Sequence, residues 1–300
     1  MSRGERRRDA IGTRIKRNPR RVSLLICLLA LLGVGMILYP TVSNWWYERQ
    51  FQQEISAYDQ FADVDCDGLW EQAQAYNREL AQRGTQLSAS DEEAARVSAL
   101  LDPLGNGMMG YVDIPKIDVH LPIYQGTEES ALQAGAGWWI GTSLPTGGEN
   151  THCVLTAHTG LVKAKMFTDL DQMELGDTFS LSILDRVLTY QVDQILVTEP
   201  TDFEPLLIQE GGDYVTLYTC TPYGVNTHRL LVRGSRVETP EPDPPAAPPH
   251  EQGHILAQLA AALLLLVFGL LLLCWTVRHR PRGKREAQTN QIFWNRRNKL

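Results

Sequence analysis

Cysteine is scarce in this sequence, with five residues in 300. Cys27 and Cys274 fall inside long apolar runs, which leaves Cys66, Cys153 and Cys220 in the rest of the chain. Three cysteines are too few for the disulfide frameworks that hold small secreted domains together. A single bridge between Cys66 and Cys153 remains open, but at least one of the three thiols must be unpaired.

Charge is absent from two long segments of the chain. Residues 22–39 form an uncharged run of 18 residues, and residues 255–277 form a second run of 23. Because runs of about 20 apolar residues match a hydrocarbon core about 30 Å thick, we predict a transmembrane helix over each. Trp45, Trp46 and Tyr47 suit an aromatic belt at the interface. The alternatives are a cleaved signal peptide for the first run and a buried core helix for the second.

Acidic residues are rare at both ends of the chain. Residues 1–21 hold nine basic residues against two acidic ones, and residues 278–300 hold eight against one. Each of these tails has a net charge of +7. Because the whole chain has a net charge of −7, residues 22–277 carry −21. Since basic segments beside membrane spans tend to stay in the cytoplasm, the sequence predicts a two-pass protein of the cell membrane. Both basic tails would be cytoplasmic and the segment between the spans extracellular.

Composition divides the segment between the two runs into three parts. Residues 40–106 are rich in helix formers and end in Gly, Ser, Asp and Pro, which predicts a helical segment followed by a connector. Residues 107–238 consist of short runs with alternating apolar positions and turns, which predict an all-β barrel or sandwich. Residues 239–254 are rich in proline and predict a semi-rigid stalk.

Three residues next to predicted strands could form a cysteine-based active site. Cys220 ends one predicted strand, and Arg229 opens the next after a turn-rich loop. If these strands are antiparallel neighbours, Cys220 and Arg229 lie at the same end of the sheet, where a guanidinium can stabilise a thiolate and a developing oxyanion. His158 follows another short β-run and could carry the proton. Taken singly, each residue is more often structural, so the hypothesis depends on their combined placement.

The same segments carry a resemblance to a known family. Residues 216–234, TLYTCTPYGVNTHRLLVRG, resemble the sortase signature of T-x-T-C followed by an arginine, in the form seen in class C enzymes that polymerise pilins. Residues 155–173 resemble the histidine segment of that family, and residues 108–127 resemble the start of its barrel. The similarity covers residues 107–237, and a membrane helix at each end also fits class C.

The resemblance implies a mainly β fold, an eight-stranded sortase-type barrel with an N-terminal helical segment and a transmembrane helix at each end. It implies Cys220 as nucleophile, His158 as general acid and base, and Arg229 as oxyanion stabiliser. Sortases of this class cleave an LPXTG-type sorting signal between Thr and Gly, form a thioacyl enzyme, and transfer the acyl group to a pilin lysine.

The resemblance also implies a binding surface for the sorting signal. The loop of residues 198–213 matches the region that helps to bind it. The residues expected to contact substrate flank the catalytic ones: Thr156, Ala157, Thr219, Thr221, Pro222 and Asn226. The expected partners are LPXTG-type pilin or surface proteins and the lipid bilayer, with no nucleic acid, and the reaction needs no metal and no cofactor.

The sequence departs from the family pattern at two points. Many relatives have Gly before the histidine, where this chain has Ala157. Class C enzymes commonly carry a lid with an Asp-Pro-aromatic motif, and the nearest match here is Asp102-Pro103-Leu104. Because a leucine buries less area than an aromatic ring, we expect residues 84–104 to leave Cys220 more open than in relatives with an aromatic lid.

Three other functions remain open at this stage. A sortase could instead attach surface proteins to a peptidoglycan amine of the cell wall. A β-domain could bind surface proteins without catalysis, and a generic β-sandwich could serve in adhesion. The second membrane run and the form of residues 216–234 favour pilin polymerisation.

Overall fold

The computed structural model describes residues 19–60, 64–239 and 268–269. Four predicted segments lie almost wholly outside the described residues: the basic tails 1–21 and 278–300, the stalk 239–254 and the second membrane span 255–277. Of these segments, the structure describes residues 19–21, 239 and 268–269. Apart from the first part of the first helix, the elements described below belong to one compact unit, within residues 40–60 and 64–239.

The first helix, α1 (Pro19–Tyr58), is 40 residues long. Within it, Cys27–Tyr58 is long and apolar enough to cross a membrane, and it is the single such candidate among the described residues. The side chains described between positions 25 and 39 are exposed or half-exposed, as suits a helix surrounded by lipid. One of the two predicted spans therefore has a matching helix.

The last turns of α1 pack against the barrel. Phe51 and Tyr58 are buried, and the Tyr58 hydroxyl donates a hydrogen bond to the Met109 carbonyl (2.7 Å) and accepts one from the Leu184 amide (2.8 Å). Tyr47 also packs against the barrel core, with its ring 6.2 Å from that of Phe51. The sequence predicts that Tyr47 lies in an aromatic belt at the membrane interface, but it packs against the barrel core instead.

Two further helices precede the barrel. In α2 (Cys66–Arg83) the Asp65 side chain caps the first turn, and Gly84, with φ of 84°, ends the helix in a conformation that favours glycine. The buried residues of α2 recur at helical spacing and belong mostly to the barrel core: Trp70, Ala73, Tyr76, Asn77 and Leu80.

The connector, residues 84–107, contains the short helix α3 (Asp91–Val97). Ser90 caps α3 by accepting a hydrogen bond from the Glu93 amide. The Glu93 carboxylate pairs with Arg83 of α2. The pair fastens the connector to the helix before it.

Eight strands form a closed barrel in the order β1-β2-β3-β4-β7-β8-β6-β5. Two neighbouring pairs, β2 with β3 and β4 with β7, are parallel, and the others are antiparallel. The fourth helix, α4 (Glu129–Ala134), lies between β2 and β3 in the sequence. The strand bounds are β1 Met108–Ile114, β2 Val119–Gln125, β3 Ala136–Trp138, β4 Thr151–Thr156, β5 Thr178–Ile183, β6 Arg186–Thr198, β7 Asp213–Thr221 and β8 His228–Val237. The predicted eight-stranded barrel is confirmed, and the adhesion sandwich is wrong.

Side chains alternate between the inside and the outside of the barrel along β4, β7 and β8. Cys153, Leu217 and Leu230 belong to the core cluster inside the barrel. Their outward neighbours form a separate cluster, which we call the outer cluster. It consists of Val154, Leu206, Tyr218 and Leu231, with Leu87, Trp139, Leu196 and Phe203 packed around them. Residues from the connector and the β6–β7 loop therefore cover part of the outer face.

The possible disulfide of the sequence analysis is absent. Cys66 and Cys153 are both free, as are Cys27 and Cys220. Cys153 is buried and faces the barrel core, whereas Cys66 lies at the start of α2. The described cysteines are therefore all thiols.

Candidate active site

Cys220 and Arg229 are direct cross-strand partners. β7 and β8 pair in antiparallel register, with Cys220 opposite Arg229 and Tyr218 opposite Leu231. Because cross-strand partners share a face and Tyr218 and Leu231 lie in the outer cluster, Cys220 and Arg229 also lie on the outer face. Both are half-buried, so the thiol and the guanidinium remain accessible at this end of the sheet. The predicted strand pairing is present.

The β7–β8 loop holds Arg229 in place. One guanidinium nitrogen of Arg229 donates hydrogen bonds to the carbonyls of Asn226 (3.1 Å) and His228 (3.0 Å). Burial raises the pKa of the Tyr218 phenol, and the nearby Arg229 guanidinium partly opposes that rise. The guanidinium therefore lies over the outer face, beside Tyr218, with donors left for another acceptor.

His158 lies just beyond the end of β4. β4 and β7 run parallel with Thr156 opposite Tyr218, so the end of β4 lies beside the end of β7 that carries Cys220. Thr156 is on the outer face by strand alternation, and His158 follows it two residues later. The His158 side chain is 31% exposed, and its Nε2 has no hydrogen-bond partner among the described residues. The topology thus brings His158, Cys220 and Arg229 to one end of the outer face.

The predicted substrate-binding residues divide into two groups. Thr156 and Thr221 are half-buried, and Pro222 and Asn226 are exposed on the β7–β8 loop or beside it. These four are accessible to a bound peptide.

Ala157 and Thr219 are predicted to contact the substrate, but both are buried. Ala157 is 4% exposed and Thr219 is 3% exposed. The Thr219 hydroxyl donates a hydrogen bond of 2.8 Å to the Ala157 carbonyl, and the Ala157 amide donates to the Tyr218 carbonyl. Because strand alternation turns Thr219 inward, this pair joins β4 to β7 and offers no side-chain surface to a substrate.

The connector contacts the outer face next to the candidate active site, at the outer cluster. The Leu87 side chain packs in the outer cluster with Tyr218, two residues before Cys220 on the same face, and the Trp139 indole donates a hydrogen bond to the Leu87 carbonyl (3.1 Å). Leu104, of the segment most like a lid motif, is 37% exposed. Contact with the outer face is therefore made by Leu87, and the predicted openness of Cys220 stays a prediction.

The loop that begins at His158 is fastened to α1. The Ser43 hydroxyl donates a hydrogen bond to the Lys163 carbonyl (3.1 Å), and the Asn44 side chain accepts one from the Lys165 amide (2.7 Å). The Lys163 ammonium lies 5.1 Å from the centre of the Tyr47 ring. Residues close to the predicted membrane run therefore support the histidine loop.

A second histidine and cysteine lie next to each other inside β4. His152 is fully buried, with its ring nitrogens 3.0 Å from the Leu207 carbonyl and 2.7 Å from the Thr216 hydroxyl. Burial lowers the pKa of His152 to about 4. Burial also raises the pKa of the Cys153 thiol well above its ordinary value. Both groups are uncharged near neutral pH.

Sequence reasoning missed two residues at the site. Tyr218 is the member of the outer cluster two residues before Cys220 on the same strand, and Glu129 of α4 approaches His158, with 3.8 Å between Glu129 Oε2 and His158 Nε2. Tyr218 could have been found from its alternation with Cys220. Glu129 has no such signal, because only the β2–β3 crossover brings it there. Among residues 19–60, 64–239 and 268–269, no group of three or more His, Cys, Asp or Glu could hold a metal ion.

Comparison with known proteins identifies the family. Residues 112–237 match the family model described as Sortase domain. The chain is 42% identical to the solved structure of sortase C1 from Streptococcus agalactiae, with 64% of this chain and 99% of that chain covered and a TM-score of 0.60. Sortase C-1 from Streptococcus pneumoniae is 47% identical, with 62% and 99% covered and a TM-score of 0.55. Sortase D from Bacillus subtilis is 26% identical over 188 residues, which span 61% of this chain and 92% of that protein.

The closed barrel and these matches define a transpeptidase that acts on surface proteins. The chain belongs to the sortase family, and the solved structures that it resembles are class C sortases. The non-catalytic β-domain is therefore wrong as an interpretation of the sequence.

Proposed function

We propose that this chain is a membrane-anchored class C sortase that joins pilin subunits through isopeptide bonds. The observation that carries the proposal is the Cys220–Arg229 cross-strand pair on the outer face, with His158 at the adjoining end of β4. The 41–47% identity to solved sortase C structures supports the choice of class C.

In the first step, the Cys220 thiolate attacks the carbonyl carbon of the threonine in an LPXTG-type signal. The Arg229 guanidinium donates hydrogen bonds to the oxyanion that forms. His158 then protonates the amine of the departing glycine, and the carbon–nitrogen bond breaks to leave a thioester on Cys220.

In the second step, a lysine amine of another pilin attacks the thioester carbonyl. His158 accepts the proton from the attacking amine, and Cys220 leaves as a thiolate. The products are an isopeptide bond and the free enzyme, so the Thr–Gly peptide bond is exchanged for an amide bond to the lysine side chain. A peptidoglycan amine in place of the lysine would give cell-wall attachment instead.

A guanidinium next to a thiolate stabilises the charged form of the sulfur and can also donate hydrogen bonds to an oxyanion. The position of Arg229 opposite Cys220 therefore supports a role in both thiolate formation and oxyanion binding.

The test incubates the full chain in detergent with an LPXTG-type peptide and seeks a thioacyl adduct on Cys220 by mass spectrometry. Adding either a pilin domain with its lysine or a peptidoglycan amine then identifies the acceptor. We expect an adduct that the pilin lysine resolves into an isopeptide product. Absence of the adduct would contradict the transpeptidase mechanism, and resolution by the peptidoglycan amine alone would favour cell-wall attachment.

We also propose the two-pass topology that the charge distribution predicts. Both basic tails lie in the cytoplasm, and the barrel faces the exterior. A reporter fused after Leu300 should then be active in the cytoplasm, and a reporter inserted within residues 239–254 should be active outside. An exterior carboxyl terminus would overturn the two-span arrangement.

A further inference from the structure

The sheet topology brings α4 to the end of β4. β3 pairs antiparallel with β4, with Gly137 opposite Thr156. Residues that precede β3 therefore lie beside residues that follow β4. Because α4 ends at Ala134, immediately before β3, it is held next to His158.

Glu129, in the first turn of α4, is the carboxylate that faces His158. Its Oε2 lies 3.8 Å from His158 Nε2, which is within ion-pair range and longer than a hydrogen bond. The same Nε2 is buried and has no hydrogen-bond partner in the part of the chain that the structure describes. A buried ring N–H without a hydrogen-bond acceptor is stabilised when a nearby carboxylate accepts from it.

A neighbouring side chain on α4 fixes the position of the Glu129 carboxylate. The Gln133 side-chain amide, one helical turn later, donates a hydrogen bond of 2.6 Å to Glu129 Oε1. Gln133 in turn accepts one of 3.3 Å from the Lys163 ammonium, on the loop that His158 begins. One carboxylate oxygen is thereby engaged, and the other is left toward the imidazole.

We propose that Glu129 is a positioning residue for His158, which orients the imidazole for its ion pair with the Cys220 thiolate. This inference rests on the proposed transpeptidase mechanism. The other charged or titratable groups at this end include Lys163 on the histidine loop, Tyr218 and Cys220 on β7, Arg229 at the start of β8, and the ion pair of His228 with Glu199 (3.3 Å). Among the described carboxylates, Glu129 is the one within ion-pair range of His158.

The expected effect is modest and depends on pH. The Glu129 side chain is 70% exposed, so solvent screens its attraction for the imidazolium. We expect Glu129→Gln to slow alkylation of Cys220 by iodoacetamide about 2- to 5-fold at neutral pH, because fewer thiolate–imidazolium pairs form. The difference should vanish at high pH, where the thiolate forms without the imidazolium. Removing the carboxylate thus shifts the profile toward alkaline pH.

Glu128 provides a matched control. It is exposed, precedes α4 by one residue and carries the same charge, and its side chain makes no capping hydrogen bond. Glu128→Gln changes net charge equally and should leave the alkylation profile unchanged. Glu129→Asp should restore part of the wild-type profile, because the carboxylate remains.

The measurement is the pH profile of alkylation of the full chain in detergent, with thioacyl formation from an LPXTG-type peptide measured in parallel. A shifted profile in Glu129→Gln alone supports the proposal. Identical profiles for Glu129→Gln and wild type, or equal shifts in both glutamine variants, overturn it. If the wild type forms no thioacyl adduct, the proposed function fails instead, so the two failures are distinguishable.

Discussion

Two histidines of opposite character lie near the start of β4 and just past its end. Strand alternation puts His152 on the outer face, and His158 follows the outward-facing Thr156 by two residues. The β6–β7 loop covers His152, whose ring contacts the Leu207 carbonyl and the Thr216 hydroxyl. No such cover reaches His158, which is 31% exposed beside Glu129. Residue type is the same in the two places, and the difference lies in what covers the strand.

The two cysteines of the barrel repeat this contrast. Cys153 faces the barrel core and is buried, and its thiol stays protonated because burial raises the pKa. Cys220 faces outward at the end of β7, opposite Arg229. The contrast shows that the accessible thiol of this barrel lies at a strand end on the outer face, whereas the thiol that faces inward is buried.

Replacing the two cysteines separately should give the largest difference. Cys220→Ala should abolish thioacyl formation and polymerisation while leaving the fold intact, because the nucleophile is chemically indispensable. Cys153→Ala should keep its activity and lose some free energy of unfolding, since it removes a buried side chain. Peptide cleavage and thermal unfolding measure the two effects. An adduct that still forms in Cys220→Ala would refute the assignment.

The histidines offer the next test. We expect His158→Ala to lower kcat/KM for peptide cleavage by about 10²- to 10⁴-fold, the usual contribution of general acid–base catalysis. His152→Gln should retain most activity, because His152 lies near the start of β4, away from the end that adjoins Cys220. Equal losses in the two variants, measured on protein shown to be folded by circular dichroism, would break the distinction between the start of β4 and the position past its end.

Two arginines on the outer face of β8 extend the comparison. Arg229→Lys should lower kcat about 10²-fold, because a point charge cannot reproduce the planar donors that an oxyanion requires. Arg233, four residues later, pairs with Asp193 through hydrogen bonds of 3.0 Å. Arg233→Lys is therefore the matched control and should keep near-normal turnover. Normal turnover in Arg229→Lys would count against an oxyanion role.

The remaining test concerns stability and pH, where little change in activity is expected. The pKa of His152 is about 4 in the folded protein, against about 6.5 when unfolded, so the unfolded chain binds more protons between these values. The free energy of unfolding should therefore fall by about 3 kcal/mol as the pH falls from 7 to 4. His152→Gln should flatten this dependence in urea titrations at several pH values. An unchanged slope would show that another group causes the acid sensitivity.

Local pattern was sufficient to predict one half of the site. Cys220 and Arg229 are joined by a single loop, so two strands and a turn determine their pairing. The alternation that predicts the strands also predicts that Thr219, next to Cys220, faces inward. The prediction that Thr219 binds substrate did not take this two-residue alternation into account.

The other half of the site depends on contacts between distant segments. Parallel pairing of β4 with β7 brings the end of β4 beside Cys220, and the β2–β3 crossover brings Glu129 to His158. Neither pairing has a local sequence signal, because parallel strands are joined by long connections. Tyr47 shows the same limit, since an aromatic near a membrane run is equally able to pack on a domain.

The contacts of Ser43 and Asn44 with Lys163 and Lys165 decide where a soluble version of this enzyme should begin. A recombinant protein that starts at Cys66 keeps α2 and every strand, yet it loses the two side chains that fasten the histidine loop to α1. A protein that starts at Pro40 keeps them and still omits the run of residues 22–39. Catalytic rates measured on the shorter form would thus describe a loop without its native support, and the choice of first residue becomes an experimental variable.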